Sequence, residues 1–169
     1  GFADIVALFQ HFSMPSVVEH ELARSRGSLR DPGLLNSLAA QFGKATGSEG
    51  ALRYALKMMS DEARDKNAPP LRMSDVTEAH ARGQFLVAAV FDAFVTIYER
   101  RAADLLRIAG EAASANRDLS ADLVKRLANE ACKAADQVLR MCVRALDYVP
   151  AVDLEFGEYL RAIITADAD

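Results

Sequence analysis

Histidines and carboxylates are the side chains of this 169-residue chain that are suited to acid–base or metal chemistry, and it contains only three histidines. The segment His20-Glu21-Leu22-Ala23-Arg24 is a near match to the helical zinc motif HExxH, but Arg24 stands where the motif needs its second imidazole. This segment is therefore predicted to be the polar face of an amphipathic helix. His11 lies among apolar neighbours and is predicted to be a partly buried structural residue. No zinc site follows from recognisable spacing within the chain, which also lacks a CxxC motif.

Asp4 stands out because it lies in an apolar run, between Ala3 and Ile5. Burial of a carboxylate without a partner is costly, so two interpretations of this residue remain open. Asp4 is either a lone residue on an exposed helix face or a carboxylate that orients a metal-ligand histidine from elsewhere in a longer protein. The second role needs a hydrogen bond from the imidazole N–H to the carboxylate.

Asp75 and His80 lie in the segment Ser74–Gly83, which leads into the most apolar stretch of the chain. A histidine at the entrance of a buried helix can present its imidazole to a cleft. Asp75 can then accept a hydrogen bond from one ring nitrogen while the other nitrogen points at a substrate oxygen. The alternative is a histidine in a solvent-exposed loop, and the residues alone leave both interpretations open.

Composition excludes several classes of function. Apolar residues make up 51% of the chain and charged residues 26%, as in ordinary globular domains, and the net charge is −4. Because there is no dense Lys/Arg tract, neither nucleic-acid binding nor attachment to an anionic membrane is predicted. The longest apolar run, Phe85–Phe91, is far too short to span a bilayer.

The two cysteines, Cys132 and Cys142, are predicted to lie on one helix. Ten residues of helix separate them by about 15 Å along the axis, which is too far for a disulfide. They are therefore expected to be reduced, which weakly favours a cytoplasmic location.

Apolar residues recur at helical spacing along nearly the whole chain, and no run alternates as a strand does. Helices are predicted over about 2–12, 15–26, 32–43, 49–59, 83–112 and 120–146, with a last helix after Asp153, while 61–82 is predicted to be irregular. Asp31, Ser120 or Asp118, and Asp153 are the expected N-caps. The chain is thus predicted to be a single all-α domain over residues 1–169. We expect a bundle of six to eight helices, with two long antiparallel helices in the C-terminal half.

The first helix has no capping residue before it, although Phe2, Ile5 and Val6 already follow helical spacing. The first N–H groups of a buried helix need hydrogen-bond partners. This start therefore predicts that the chain is the C-terminal subdomain of a larger protein.

Two of these segments together resemble the thermolysin-like zinc metallopeptidases, or gluzincins. Gly1-Phe2-Ala3-Asp4 is similar to the end of the family's second zinc motif, in which a Glu ligand is followed after three residues by Asp. Asp75 and His80 keep the family's spacing of an Asp, four intervening residues and a His at the mouth of a buried helix. Gly83 follows His80 at a slightly shorter distance than the corresponding glycine does in thermolysin.

The resemblance implies a role for each matching residue in peptide-bond hydrolysis. Asp4 would hold a zinc-ligand histidine, His80 would donate to the oxyanion of the tetrahedral intermediate, and Asp75 would orient His80. Arg53 is similar in position to the family's substrate-binding Arg. Zinc is expected in the full-length protein only, because HExxH and the Glu ligand are missing from this chain, which alone should be inactive. The implied partners are the N-terminal half of the same protein and a peptide substrate.

A non-catalytic helical module for interaction or oligomerisation is the alternative, and it explains the helices and the modest net charge equally well. In either case, apolar surface that a missing half would normally cover is expected to favour self-association.

Overall fold

A computed structural model describes residues 1–31, 34, 77, 79–112 and 118–168. Over these residues the chain forms five α-helices, one 3₁₀ helix and no strand, which confirms the predicted all-α class. The elements are α1 (Phe2–His11), α2 (Pro15–Arg24), α3 (Ala79–Ala112), α4 (Ala121–Arg144), the 3₁₀ helix (Ala145–Tyr148) and α5 (Phe156–Ala168). The helices predicted over 32–43 and 49–59 lie outside the described residues. Of the helices in the described ranges, none combines the length and the apolar character that a membrane span requires.

α2 ends at Arg24, two residues before its predicted end at Arg26. Arg26 and Gly27 both adopt positive φ, at 53° and 84°. The Gly27 N–H donates to the Leu22 carbonyl at 2.8 Å, which is the bond that closes a helix through a left-handed C-terminal residue. Glycine suits this position because its backbone has no steric penalty at positive φ.

Four phenylalanines pack α1 onto α3 in the centre of the molecule. The ring of Phe94 is 0% exposed, and its centroid lies 5.3 Å from that of Phe9, 4.8 Å from that of Phe12 and 5.5 Å from that of Phe91. These separations are typical of favourable edge-to-face and tilted aromatic pairs. The cluster holds the first helix of the chain against a helix that begins some seventy residues later.

The central helix α4 packs through small side chains against α2 and α3. The residues of this region that recur at helical spacing are buried, with the exception of Met141: Val124, Leu127, Ala131, Ala134, Val138 and Ala145. The predicted cap is confirmed, since the Ser120 hydroxyl accepts from the Leu123 N–H at 3.3 Å. The expected cap of the last helix is wrong. α5 begins at Phe156, three residues after Asp153, and the Glu158 carboxylate accepts from the Glu155 N–H at 3.0 Å.

Two side-chain contacts fix the turn after α2 against α3. The buried hydroxyl of Tyr98 donates to the Gly27 carbonyl at 2.8 Å. The Arg30 guanidinium donates to Asp92 and to Glu99, each at 2.8 Å. Because these two carboxylates lie about two turns apart on α3, one arginine fork spans that length of the helix and sets the position of the turn.

Candidate functional site

The N-terminal ends of α1 and α3 meet at two glycines. A Cβ placed on Gly83 would lie 2.9 Å from the Gly1 nitrogen and 3.1 Å from the Gly1 Cα. Such distances are shorter than van der Waals contact, so the two backbones can approach this closely only because neither residue carries a side chain. A glycine inside a helix costs about 1 kcal/mol relative to alanine and often marks a close approach. The sequence analysis missed this signal, because it places Gly83 at the start of the helix and not inside it.

Asp4 lies in the first turn of α1, one turn beyond this contact. Its side chain is 38% exposed, and its carboxylate lies 3.1 Å from the Gly1 amino nitrogen. Asp4 is therefore accessible to a further hydrogen-bond donor. The partly exposed position fits both interpretations drawn from the sequence.

His80 lies in the first turn of α3, because this helix begins at Ala79 and not at the predicted Gly83. The earlier start has a simple reason, since Ala79 and Ala81 are strong helix formers. Three residues of helix, about 4.5 Å along the axis, separate His80 from Gly83. The backbone of His80 is thus one turn from the place where α1 meets α3. Asp75 and Arg53 lie outside the described residues.

Aromatic and thiol groups border the same end of the bundle. The rings of Phe2 and Tyr159 meet edge to face with centroids 6.2 Å apart, which brings α5 against the start of α1. The Tyr159 hydroxyl donates to the Cys142 carbonyl at 2.8 Å. Burial raises the pKa of the Cys142 thiol to about 11, so this cysteine is protonated at neutral pH and is a poor nucleophile or metal ligand.

Zinc in proteins is held by cysteine, histidine and carboxylate side chains. Within these ranges, no three such side chains are grouped closely enough to hold a metal ion. Asp4 supplies one carboxylate at the candidate site, whereas a structural or catalytic zinc needs three or four protein ligands.

A second concave region lies between α2 and α4, with a volume of about 590 Å³. Two acidic side chains, Glu19 and Asp122, and two basic ones, Lys125 and Arg126, line it together with Cys132. Burial and then the nearby Glu19 raise the pKa of the Cys132 thiol, which disfavours the reactive thiolate. Asp4, the predicted site residue whose side chain the structure describes, does not line this groove.

His11 is half-buried, as the sequence predicts, beside a small apolar cavity between α1 and α2. Its Nε2 is inaccessible to solvent and has no hydrogen-bond partner among the described residues. Desolvation lowers the pKa of His11, and the opposing attraction of Glu21 is the smaller effect. Burial therefore favours the neutral form of this imidazole.

The burial of His11 predicts that the stability of the protein falls at acidic pH. A lowered pKa in the folded state means that the unfolded chain binds the proton more readily. Wild-type stability should therefore fall, through His11, as the pH drops below the unfolded value of about 6.5. In His11→Gln this contribution should be missing, so urea midpoints of wild type and variant should diverge between about pH 7.5 and pH 5. His20→Gln, at an exposed position on α2, is the matched control. Equal pH profiles for wild type and His11→Gln would contradict the prediction.

The contact between Gly1 and Gly83 predicts that Gly83→Ala destabilises the fold by about 1–3 kcal/mol, as overpacking usually does. The new methyl group would meet backbone atoms, which cannot rotate away, so α1 must shift relative to α3. Gly110→Ala is a matched control on the same helix, because a Cβ there meets no atom within 4 Å. It should stabilise the protein by up to about 1 kcal/mol through helix propensity. Urea denaturation measures both changes, and equal behaviour of the two variants would refute the close approach.

The described residues define an all-α protein in which Gly1, at the start of α1, lies against Gly83, in the second turn of α3. No protein-family model, no curated protein and no solved structure matches the chain.

Proposed function

We propose that this chain is the helical C-terminal half of the catalytic domain of a thermolysin-like zinc metallopeptidase. In this proposal it acts in peptide-bond hydrolysis together with an N-terminal half that carries HExxH. The observation that supports the proposal is the contact of Gly1 with Gly83. It brings the end of α1 that carries Asp4 against the first turns of α3, where His80 lies. A shared site requires this proximity, although the two matching segments are some seventy residues apart in sequence.

In the proposed site, this chain contributes positioning and polar groups, while zinc is bound by residues of the N-terminal half. Asp4 accepts a hydrogen bond from the N–H of a zinc-ligand histidine and so fixes its orientation. His80 donates to the oxyanion that forms when the scissile carbonyl is attacked, and Asp75 accepts from the other ring nitrogen of His80. Arg53 binds the substrate backbone.

The proposal includes the full architecture predicted from the sequence, a bundle of six to eight helices in which α3 and α4 run antiparallel. Two contacts support the antiparallel arrangement. Arg101 of α3 donates to Gln137 of α4. At the other end of the pair, Gly27 lies against both Leu106 of α3 and Leu127 of α4. Advancing along α3 from 101 to 106 thus corresponds to moving back along α4 from 137 to 127.

The direct test is hydrolysis of an unstructured protein substrate by the protein extended upstream of Gly1, with and without a zinc chelator. We expect cleavage that the chelator abolishes and added zinc restores, and no cleavage by the 169-residue chain alone. An upstream sequence without HExxH, or a folded extended protein that neither binds zinc nor cleaves the substrate, would overturn the proposal.

Asp4→Asn tests the indirect role of this carboxylate in the same extended protein. A neutral amide is a weaker acceptor for the imidazole N–H, so zinc affinity should fall by about 10–100-fold. Chelator competition measures the affinity. Glu158→Gln, on α5, is the control for a carboxylate-to-amide change outside the proposed site. Unchanged zinc affinity in Asp4→Asn would leave Asp4 as an ordinary surface residue.

The second candidate function is a non-catalytic helical module for interaction or oligomerisation. The observation that favours it is exposed apolar surface near the C-terminus, where Val152 and Ile164 are 70% and 69% exposed. Self-association of the 169-residue chain is a separate proposal, through apolar surface that a missing N-terminal half would cover. A folded extended protein without zinc or peptidase activity, which binds a partner protein through Val152 and Ile164, would favour the module over the peptidase.

A further inference from the structure

Exposed apolar side chains are concentrated in one part of the described chain. Nine large hydrophobic residues are exposed within the described ranges, and two of them, Met14 and Ile108, are isolated in sequence from the others. The remaining seven all lie within 22 residues: Val143, Leu146, Tyr148, Val152, Leu154, Leu160 and Ile164. We call these seven residues the C-terminal apolar surface. Single exposed apolar residues are ordinary, whereas a cluster of them marks an interaction site.

The local structure explains why these side chains are exposed together. On α5, one face is buried through Tyr159, Ala162 and Ala166, while Leu160 and Ile164 lie one turn apart on another face. The 3₁₀ helix packs against α5. The end of α4 also packs against α5 and the 3₁₀ helix, so most of these exposed residues belong to elements that are neighbours in the fold.

The same region carries the net charge of the whole protein. Residues 143–169 contain six acidic and two basic residues, a net charge of −4, whereas residues 1–142 contain 18 of each and are neutral overall. The apolar surface thus lies in the part of the sequence whose net charge equals that of the whole chain. The negative electrostatic potential of this region attracts cationic partners and repels anionic ones.

From these two observations we propose that the C-terminal apolar surface binds a cationic amphipathic helix of a partner protein. The apolar side chains receive the apolar face of that helix, as in other complexes of a helix with a hydrophobic surface. The surrounding carboxylates pair with Lys and Arg on its flanks and increase the association rate. This inference does not depend on the peptidase proposal, since none of its residues belongs to the proposed catalytic site.

Charge also distinguishes this partner from two other occupants of an apolar surface. An anionic membrane is disfavoured, because surfaces that bind such membranes carry Lys and Arg around their apolar face. A second copy of this chain is disfavoured as well. A two-fold dimer would place the same acidic region of both copies together, and like charges at an interface oppose association.

The test uses the 169-residue chain and a labelled helical peptide of about 18 residues with Leu on one face and Lys on the other. Fluorescence anisotropy measures binding, and an otherwise identical peptide with Glu in place of Lys is the charge control. The double variant Leu160→Ser/Ile164→Ser removes exposed apolar groups of α5. Ile108→Ser is the matched control, because Ile108 is 57% exposed but lies on α3, outside the C-terminal apolar surface.

We expect the Lys peptide to bind, with an affinity that falls as salt rises from about 50 to about 500 mM. The Glu peptide should bind at least about tenfold more weakly, since like charges at an interface cost affinity. The double variant should lose at least about tenfold in affinity for the Lys peptide, while Ile108→Ser should bind as wild type does.

Three outcomes would overturn the inference. The first is equal binding of the Lys and Glu peptides, and the second is an equal effect of the double variant and Ile108→Ser. The third is a dimer in sedimentation that the double variant dissociates, together with no peptide binding up to about 1 mM, which would assign the surface to a second copy. Because zinc and peptidase activity are not read out here, failure of this inference is distinct from failure of the proposed function.

Discussion

Phe94→Ala is expected to lower the free energy of unfolding by about 3–5 kcal/mol, the usual range for truncating a fully buried phenylalanine. The Phe94 ring contacts those of Phe9, Phe12 and Phe91, so its loss opens a cavity between α1 and α3 that none of these rings can fill without leaving its own contacts. Urea denaturation at neutral pH measures the change.

A milder variant keeps this prediction informative if Phe94→Ala does not fold. Phe94→Leu retains most of the apolar volume and loses the aromatic contacts, so it should fold and be destabilised by less than the alanine variant. Ile164→Ala is the control at an exposed position and should change stability by no more than about 0.5 kcal/mol. A Phe94→Ala protein as stable as this control would contradict the central position of the cluster.

Helix periodicity and capping chemistry were sufficient to predict much of the local structure. The Ser120 cap follows from residue type, and the structure also bears out Asp31, whose carboxylate accepts from the Leu34 N–H at 2.9 Å. Both predictions succeed because a cap bonds a backbone N–H only two or three residues away, so its energy is a local property. The Asp153 cap was wrong because another nearby side chain bonds the backbone at the start of α5. Glu158, within the first turn of α5, bonds the backbone N–H of Glu155 where the helix begins.

The contacts between elements could not be predicted in the same way. Periodicity identifies which face of a helix is buried but not which helix covers it. The bonds of Arg30 to Asp92 and Glu99 join residues 62 and 69 positions apart, and no local pattern distinguishes Arg30 from other arginines. The approach of Gly1 to Gly83 could not be predicted from local sequence either. Glycine within a helix signals a close neighbour without identifying it.

For the candidate site as well, the sequence predicts which residues take part but not how far apart they lie. Asp4 and His80 were selected from residue type, spacing and resemblance, none of which contains distance information. The fold places Gly1, at the start of α1, against Gly83 in α3, while a shared site of Asp4, His80, Asp75 and Arg53 remains a prediction. The C-terminal apolar surface was not predicted, because Leu160 on α5 follows the same spacing as buried positions. Periodicity alone could not separate the covered face from the exposed one.

His80→Ala is expected to lower kcat by about 10²–10³-fold in the zinc-loaded protein extended upstream of Gly1, as loss of one oxyanion donor does elsewhere. The reason is that an alanine cannot donate to the developing charge, whereas substrate binding in the ground state uses other groups. KM should therefore change much less than kcat. Initial rates of peptide hydrolysis over a range of substrate concentrations separate the two constants.

Two further variants distinguish a donor from a merely structural residue. The side chain of His80→Gln retains an N–H donor, so this variant should recover part of the lost kcat. A simple packing defect would not predict such a recovery. His20→Ala, at an exposed position on α2, should leave both constants unchanged. Full turnover in His80→Ala, with zinc bound, would remove His80 from the proposed site. Because zinc is held by the other half of the proposed site, that result would leave the role of Asp4 to be decided by zinc affinity alone.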